Sequence, residues 1–189
     1  MSSPNRPAAD PVAELERLGS DTEMLSTTLD VHRELDLAEQ LQHLIDRGVS
    51  WSGAGCGFVL GPGEARRTWS PFVSTVAKDD PRRASLGRID PAGLGSVLDD
   101  GERTFAGLGP FGGDTVGWPG PVPEACVAVP VAGRQNGWAA VLLLLFDRAR
   151  PEQAVVERIE RLVRAVEPAV CNALKVAAIR ELVIKDDTA

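Results

Sequence analysis

Apolar residues in the second half of the chain fall in two unbroken runs, "ACVAVPV" (Ala125–Val131) and "WAAVLLLLF" (Trp138–Phe146), separated by the polar stretch "AGRQNG". A strand exposed on one side alternates apolar and polar residues, so unbroken runs predict strands buried on both faces. Asn136 and Gly137 tolerate the positive φ angles of a tight turn, and the two runs therefore read as a hairpin. Its sheet must be a middle layer, with helices on one face and something else on the other.

The helical periods lie at the two ends. A helix is expected from Pro11, with Leu15, Leu18, Leu25 and Leu29 at coiled-coil spacing and the polar Thr22 and His32 interleaved. A break is expected near Asp36, where Asp36 and Glu39 form a variant capping box. The second helix, "LAEQLQHLIDRGV", carries one apolar stripe of Leu37, Leu41, Leu44 and Ile45. At the other end, a helix from Pro151 to about Lys185 carries two stripes. Val155, Ile159, Leu162, Val166, Ala169, Ala173 and Val176 recur at alternating steps of four and three, and Val170, Leu174, Ala178 and Leu182 mark another face. Two faces predict two things to pack against: the domain's own sheet and a second copy of the chain. Pro168 is expected to kink this helix, because it removes one internal hydrogen bond.

Between the helical ends, "CGFVL" (Cys56–Leu60) and "ARRTWSPFVS" read as two strands around a "GPG" turn. The stretch from Lys78 to Pro123 is irregular and rich in Gly and Pro. It is expected to hold a short helix from Pro91 to Asp99, a small strand "RTFAGL" and a long loop "GLGPFGGDTVGWPGPVP". Loops of that length in a compact domain are functional or mobile.

Composition narrows the partners. A net charge of −7 over 189 residues, with no basic patch, argues against nucleic acid. The longest apolar run is too short to span a bilayer as a helix, and the polar start lacks the apolar core of a signal peptide, so a cytoplasmic location without membrane contact is expected. The first ten residues are Pro-rich and expected to be disordered. Cys56, Cys126 and Cys171 have neither metal-ligand spacing nor an even count for a disulfide framework. No phosphate loop, metal-binding His pair or nucleophile elbow is present. No cofactor is therefore expected, and His32 and His43 are read as inert helical residues.

The order of helix, helix, strand, strand, irregular lobe, apolar hairpin and long helix resembles a GAF domain. The phrases that carry the likeness are "LDVHRELDLAEQLQHLIDRGV", "VAVPVAGRQNGWAAVLLLLFD" and "AVEPAVCNALKVAAIREL", spread over residues 20 to 182. The resemblance implies an α+β domain: a GAF/PAS-like antiparallel sheet with N- and C-terminal helices on one face and the irregular lobe over the other. Residues 11–179 would form this sensory domain. The closing "ELVIKDDTA" resembles the junction into GGDEF domains, which make diguanylate cyclases, so residues 180–189 would begin a linker to such an output domain.

These resemblances imply a regulatory, non-enzymatic domain that dimerises and controls cyclic-di-GMP synthesis in cis. Leu25, Leu29, Leu162, Val166, Val170, Leu174, Ala178 and Leu182 are the expected dimer and signalling surface. A ligand of unknown identity would sit between sheet and lobe, walled by Trp69, Phe72, Arg88, Phe111, Trp118 and Cys126, with Arg88 as anion anchor. The lobe has no cysteine for bilin attachment or for a methionine sulfoxide reductase, and the Asn-Lys-Phe-Asp-Glu signature of cyclic-nucleotide-binding members is absent. The alternatives are a pure dimerisation module and a thiol-dependent redox enzyme.

Overall fold

The computed structural model describes residues 19, 21–26, 28, 36–62, 69–86, 97, 103–109, 118–132, 140–148 and 150–186, with the backbone alone described at 62, 69, 132 and 173–186. Helix α1 spans Leu37–Ser52, strand β1 Cys56–Pro62, β2 Trp69–Ser74, helix α2 Pro81–Leu86, β3 Thr104–Ala106, β4 Ala125–Ala132, β5 Ala140–Phe146 and helix α3 Gln153–Asp186. Residues 21–26 are helical as well. The expectations for residues 1–10, the Pro91–Asp99 helix apart from Val97, and the Asn136–Gly137 turn fall outside the described residues.

The five strands form one antiparallel sheet in the order β2-β1-β5-β4-β3. Strand β5 is central, and all seven of its residues are buried. Its side chains alternate between two cores, as the pleat requires. Ala140, Leu142, Leu144 and Phe146 join Val59, Val127 and Val129 under the helices. Val141, Leu143 and Leu145 join Phe58, Leu60 and Ala128 on the opposite face, covered by Leu86, Val97 and Leu108. Continuous apolar runs are the signature of such a middle layer, and the sheet is one.

The helical layer follows from the stripes. Leu41, Leu44 and Ile45 of α1 are fully buried, and so are Ile159, Leu162 and Val166 of α3. Asp36 caps α1, its carboxylate accepting from the Ala38 and Glu39 N–H groups at 2.8 and 3.2 Å. Gly53 ends the helix at φ 70°, its N–H donating to Val49 O at 3.0 Å, the left-handed stop that glycine adopts without strain. Asp36→Ala is expected to lower the unfolding free energy by about 1 kcal/mol, the usual worth of an N-cap. An unchanged urea midpoint in this variant would show that the cap contributes nothing.

Close approach of α1 to the sheet depends on Gly57. A methyl group there would lie 2.9 Å from Ile45 Cγ1, 2.9 Å from Leu144 Cδ2 and 3.0 Å from Val49 Cγ2. Arg158 of α3 ties three segments together. Its guanidinium stacks 4.4 Å above the Trp51 ring centroid of α1 and donates to Glu23 at 3.0 Å in the helical segment 21–26. Arg103, just before β3, donates to Glu160 of α3 at 2.9 Å and to Val97 O at 2.9 Å.

Helix α3 continues through Pro168 without ending there. Its 34 residues make it about 51 Å long at about 1.5 Å per residue. The longest strand has eight residues and spans about 27 Å, and five strands side by side measure about 19 Å between their outer axes. The helix therefore outruns the sheet in either direction.

Candidate functional site

A cleft of about 390 Å³ opens where β1 begins and β5 ends, lined by Cys56, Arg82, Trp118, Leu145, Asp147 and Arg148. Three separate segments build it. The β1–β5 ladder starts at this end, with Cys56 opposite Leu145 and the Gly55 N–H donating to Leu145 O at 2.8 Å. A methyl at Gly55 would come within 2.2 Å of Asp147 Oδ2, so only glycine lets the carboxylate lie against this backbone. The segment before β4 contributes Trp118 and a rim of Pro119, Pro121 and Pro123.

The third segment is α2. Asp80 precedes Pro81, an N-cap followed by the residue best suited to a first helical position. The Asp80 carboxylate accepts from the Arg82 N–H at 2.9 Å and binds the Arg82 side chain through Nε at 2.9 Å and Nη2 at 2.7 Å. This fork fixes the guanidinium, whose Nη1 reaches Cys56 Sγ at 3.6 Å. Hydrogen bonds from the Arg82 side chain and backbone hold the Asp80 carboxyl down to about 2. A depressed carboxyl contributes stability that is fully present above its ordinary range and is lost as pH falls toward 2. The clamp is thus intact at neutral pH. Arg83, the next residue, donates to Pro71 O at 3.2 Å and to Ser74 Oγ, tying α2 to β2.

Burial pushes the Cys56 thiol up to about 11, against the opposing pull of Arg82. Burial also pushes Cys126 up to about 12. Both thiols are therefore protonated at neutral pH and poor nucleophiles. Cys56 and Cys126 stand opposite Leu145 on its two flanking strands. Two interstrand steps of about 4.5–5.5 Å put their Cα atoms about 9–11 Å apart, beyond the roughly 7 Å that a disulfide spans. An attacking and resolving thiol pair is not formed by these two residues. Among the described residues no three His, Cys, Asp or Glu side chains converge to hold a metal ion, and no helix is long and apolar enough to cross a membrane.

Of the residues expected to wall a pocket, Trp118 lines this cleft. Cys126 does not: it is sealed in the second core, where Leu143, Leu145 and Leu108 also pack. Phe72 is 49 % exposed on edge strand β2. Trp69 lies on the same strand with its backbone alone described, and Arg88 and Phe111 fall outside the described residues. Of the residues expected to pair with a second copy, Leu162, Val166 and Val170 are fully buried in the domain's own core, so this face of α3 is already occupied. Leu25 is 65 % exposed. Leu174, Ala178 and Leu182 continue the helix with their backbone described, and Leu29 lies outside the described residues. His43 is exposed on α1. Arg82, Asp147 and Arg148 were not expected at a site, although "DDPRR" carries the cap-and-proline signal that positions Arg82.

No family model and no curated relative matches the chain. Solved structures do. The GAF domain of an Acinetobacter phosphoenolpyruvate-protein phosphotransferase superposes with a TM-score of 0.60 at 12% identity, covering 85% of this chain and 96% of that one. A bacteriophytochrome of R. palustris gives 0.61 at 9% identity, covering 91% of this chain and 41% of its own length. Residues 122 to 287 of a methyl-accepting chemotaxis protein give 0.54 at 12% identity, covering 79% and 98%. With a five-stranded antiparallel sheet, helices packed on one face and an irregular layer on the other, this chain has the fold of a GAF domain.

Proposed function

We propose that the chain is a sensory or regulatory domain that dimerises and controls an output domain through α3, the output being a diguanylate cyclase. The observation that carries this reading is the length of α3: about 51 Å of helix cannot be covered by a sheet about 27 Å by 19 Å. A helix that outruns its own core is supported by a partner, and the same helix in a second copy is the simplest one. Leu162, Val166 and Val170 serve the domain's own core. The pairing surface is then assigned to Leu174, Ala178 and Leu182, together with the N-terminal positions Leu25 and Leu29. The fold shared with parts of a bacteriophytochrome and a chemotaxis protein supports a signalling role. The likeness of "ELVIKDDTA" to the junction before GGDEF domains supports the choice of output.

Two measurements test the proposal. Light scattering of the purified chain is expected to give the mass of a dimer, and a monomer at high micromolar concentration removes the pairing. A fusion carrying a GGDEF domain after Ala189 is expected to make cyclic-di-GMP from GTP, at a rate that changes when the α3 seam is disrupted by Leu174→Glu. An unchanged rate removes the control role.

A further inference from the structure

The cleft at the start of β1 carries an assignment of its own. Its volume, about 390 Å³, lies within the usual range of small-molecule sites, roughly 300–1,000 Å³. Its composition is that of such sites: apolar walls with a few placed polar groups. Trp118 and Leu145 offer flat and aliphatic surface, and Pro119, Pro121 and Pro123 stiffen the rim.

The hydrogen-bond donors at the site are not all used. Arg82 has five N–H donors, of which two serve Asp80 and one serves Cys56. One donor on each terminal nitrogen remains. Arg148, exposed at the end of β5, has no ion pair among the described residues. Asp147 is the single carboxylate in the lining, and with Asp80 forked onto Arg82 the two guanidinium groups are matched by two acids. The unused donors of Arg82 and the unpaired Arg148 invite a single anionic group, and the two acids disfavour a doubly charged one.

We propose that this cleft binds a small monocarboxylic acid with a planar apolar body, its carboxylate held by Arg82 and Arg148 and its body laid against Trp118 and the proline rim. The guanidinium fork matches a carboxylate in two-pronged fashion, and an aromatic or conjugated body gains from stacking on indole. A doubly charged phosphate would meet Asp147 and Asp80 at close range, and a cation would meet the two arginines. The inference gives the sensory reading a ligand class. Its test reads binding by the chain itself, so it can fail while the helix-coupling reading stands, and the reverse.

The probe is phenylacetate, followed by ¹⁵N-correlated NMR of the 189-residue chain. Saturable shifts are expected at the Trp118 indole N–H and the amides of Asp147 and Arg148, with dissociation in the micromolar to low millimolar range. Arg148→Gln is expected to weaken binding about tenfold, as loss of one charge-assisted hydrogen bond does, while Arg148→Lys retains most of it. Arg148 is exposed, so neither variant disturbs the core. Benzylamine and inorganic phosphate are expected to bind at least tenfold more weakly. Absence of saturable shifts at about 10 mM phenylacetate, equal binding of benzylamine or phosphate, or unchanged affinity in Arg148→Gln each overturns the assignment.

Discussion

A two-residue insertion after Arg180, in a fusion that carries the output domain, is expected to lock cyclic-di-GMP synthesis fully on or fully off, while a seven-residue insertion leaves it regulated. Successive residues turn about 100° around an α-helix, so two extra residues rotate everything downstream by about 200°. Seven return the seam to within about 20° of its starting phase. The position is apt because α3 is helical on both sides of Arg180, from Gln153 to Asp186. A diguanylate cyclase must bring two active sites face to face, so rotation of paired helices is a natural control variable. Product formation from GTP, measured for both insertions beside the parent, decides the matter. Equal behaviour of the two insertions would make α3 a passive tether.

Leu144→Ala is expected to lower the unfolding free energy by about 2–5 kcal/mol, read as a shift of the urea midpoint without a change in slope. Leu144 is fully buried on the central strand and fills the space between the sheet and α1. Gly57→Ala, where the new methyl would press on Leu144 and Ile45, is expected to cost about 1–3 kcal/mol. The two changes meet at one place, so the double variant should cost less than the sum by at least about 0.5 kcal/mol. Simple additivity would show that α1 yields as a whole and that Leu144 does not set its distance from β1.

Much of this architecture was legible because burial on both faces leaves a mark on the chain. β4 and β5 read as unbroken apolar runs for that reason, and Leu41, Leu44 and Ile45 read as one face of α1. A stripe reports that a face is covered without reporting by what. Leu162 and Val166 pack on the domain's own sheet, and their spacing would be the same against a second copy. Helix α2 left no period because six residues make fewer than two turns. The cleft was less legible still. Cys56, Arg82, Trp118 and Asp147 are distant in sequence and are assembled by the β1–β5 ladder and the Asp80 clamp. Arg82 follows a local signal. Asp147 meets Gly55 because of strand pairing, which no local pattern encodes.

The place of β5 in the sheet also constrains how the domain comes into being. The strand in the middle is the last one made: β1 and β4 are both hydrogen-bonded to it, and in the strand order they have no ladder with each other. Cys56 finds its partner Leu145 at a separation of 89 positions, 145 minus 56. Loop-closure entropy makes such distant pairings slow to form. Until residue 140 has been made, the only ladders of the final sheet available to the chain are β1 with β2 and β3 with β4. Each of these pairs, if formed alone, would leave open the edge that β5 covers in the finished sheet. A single strand, β5, carries both ladders that make the two halves one sheet.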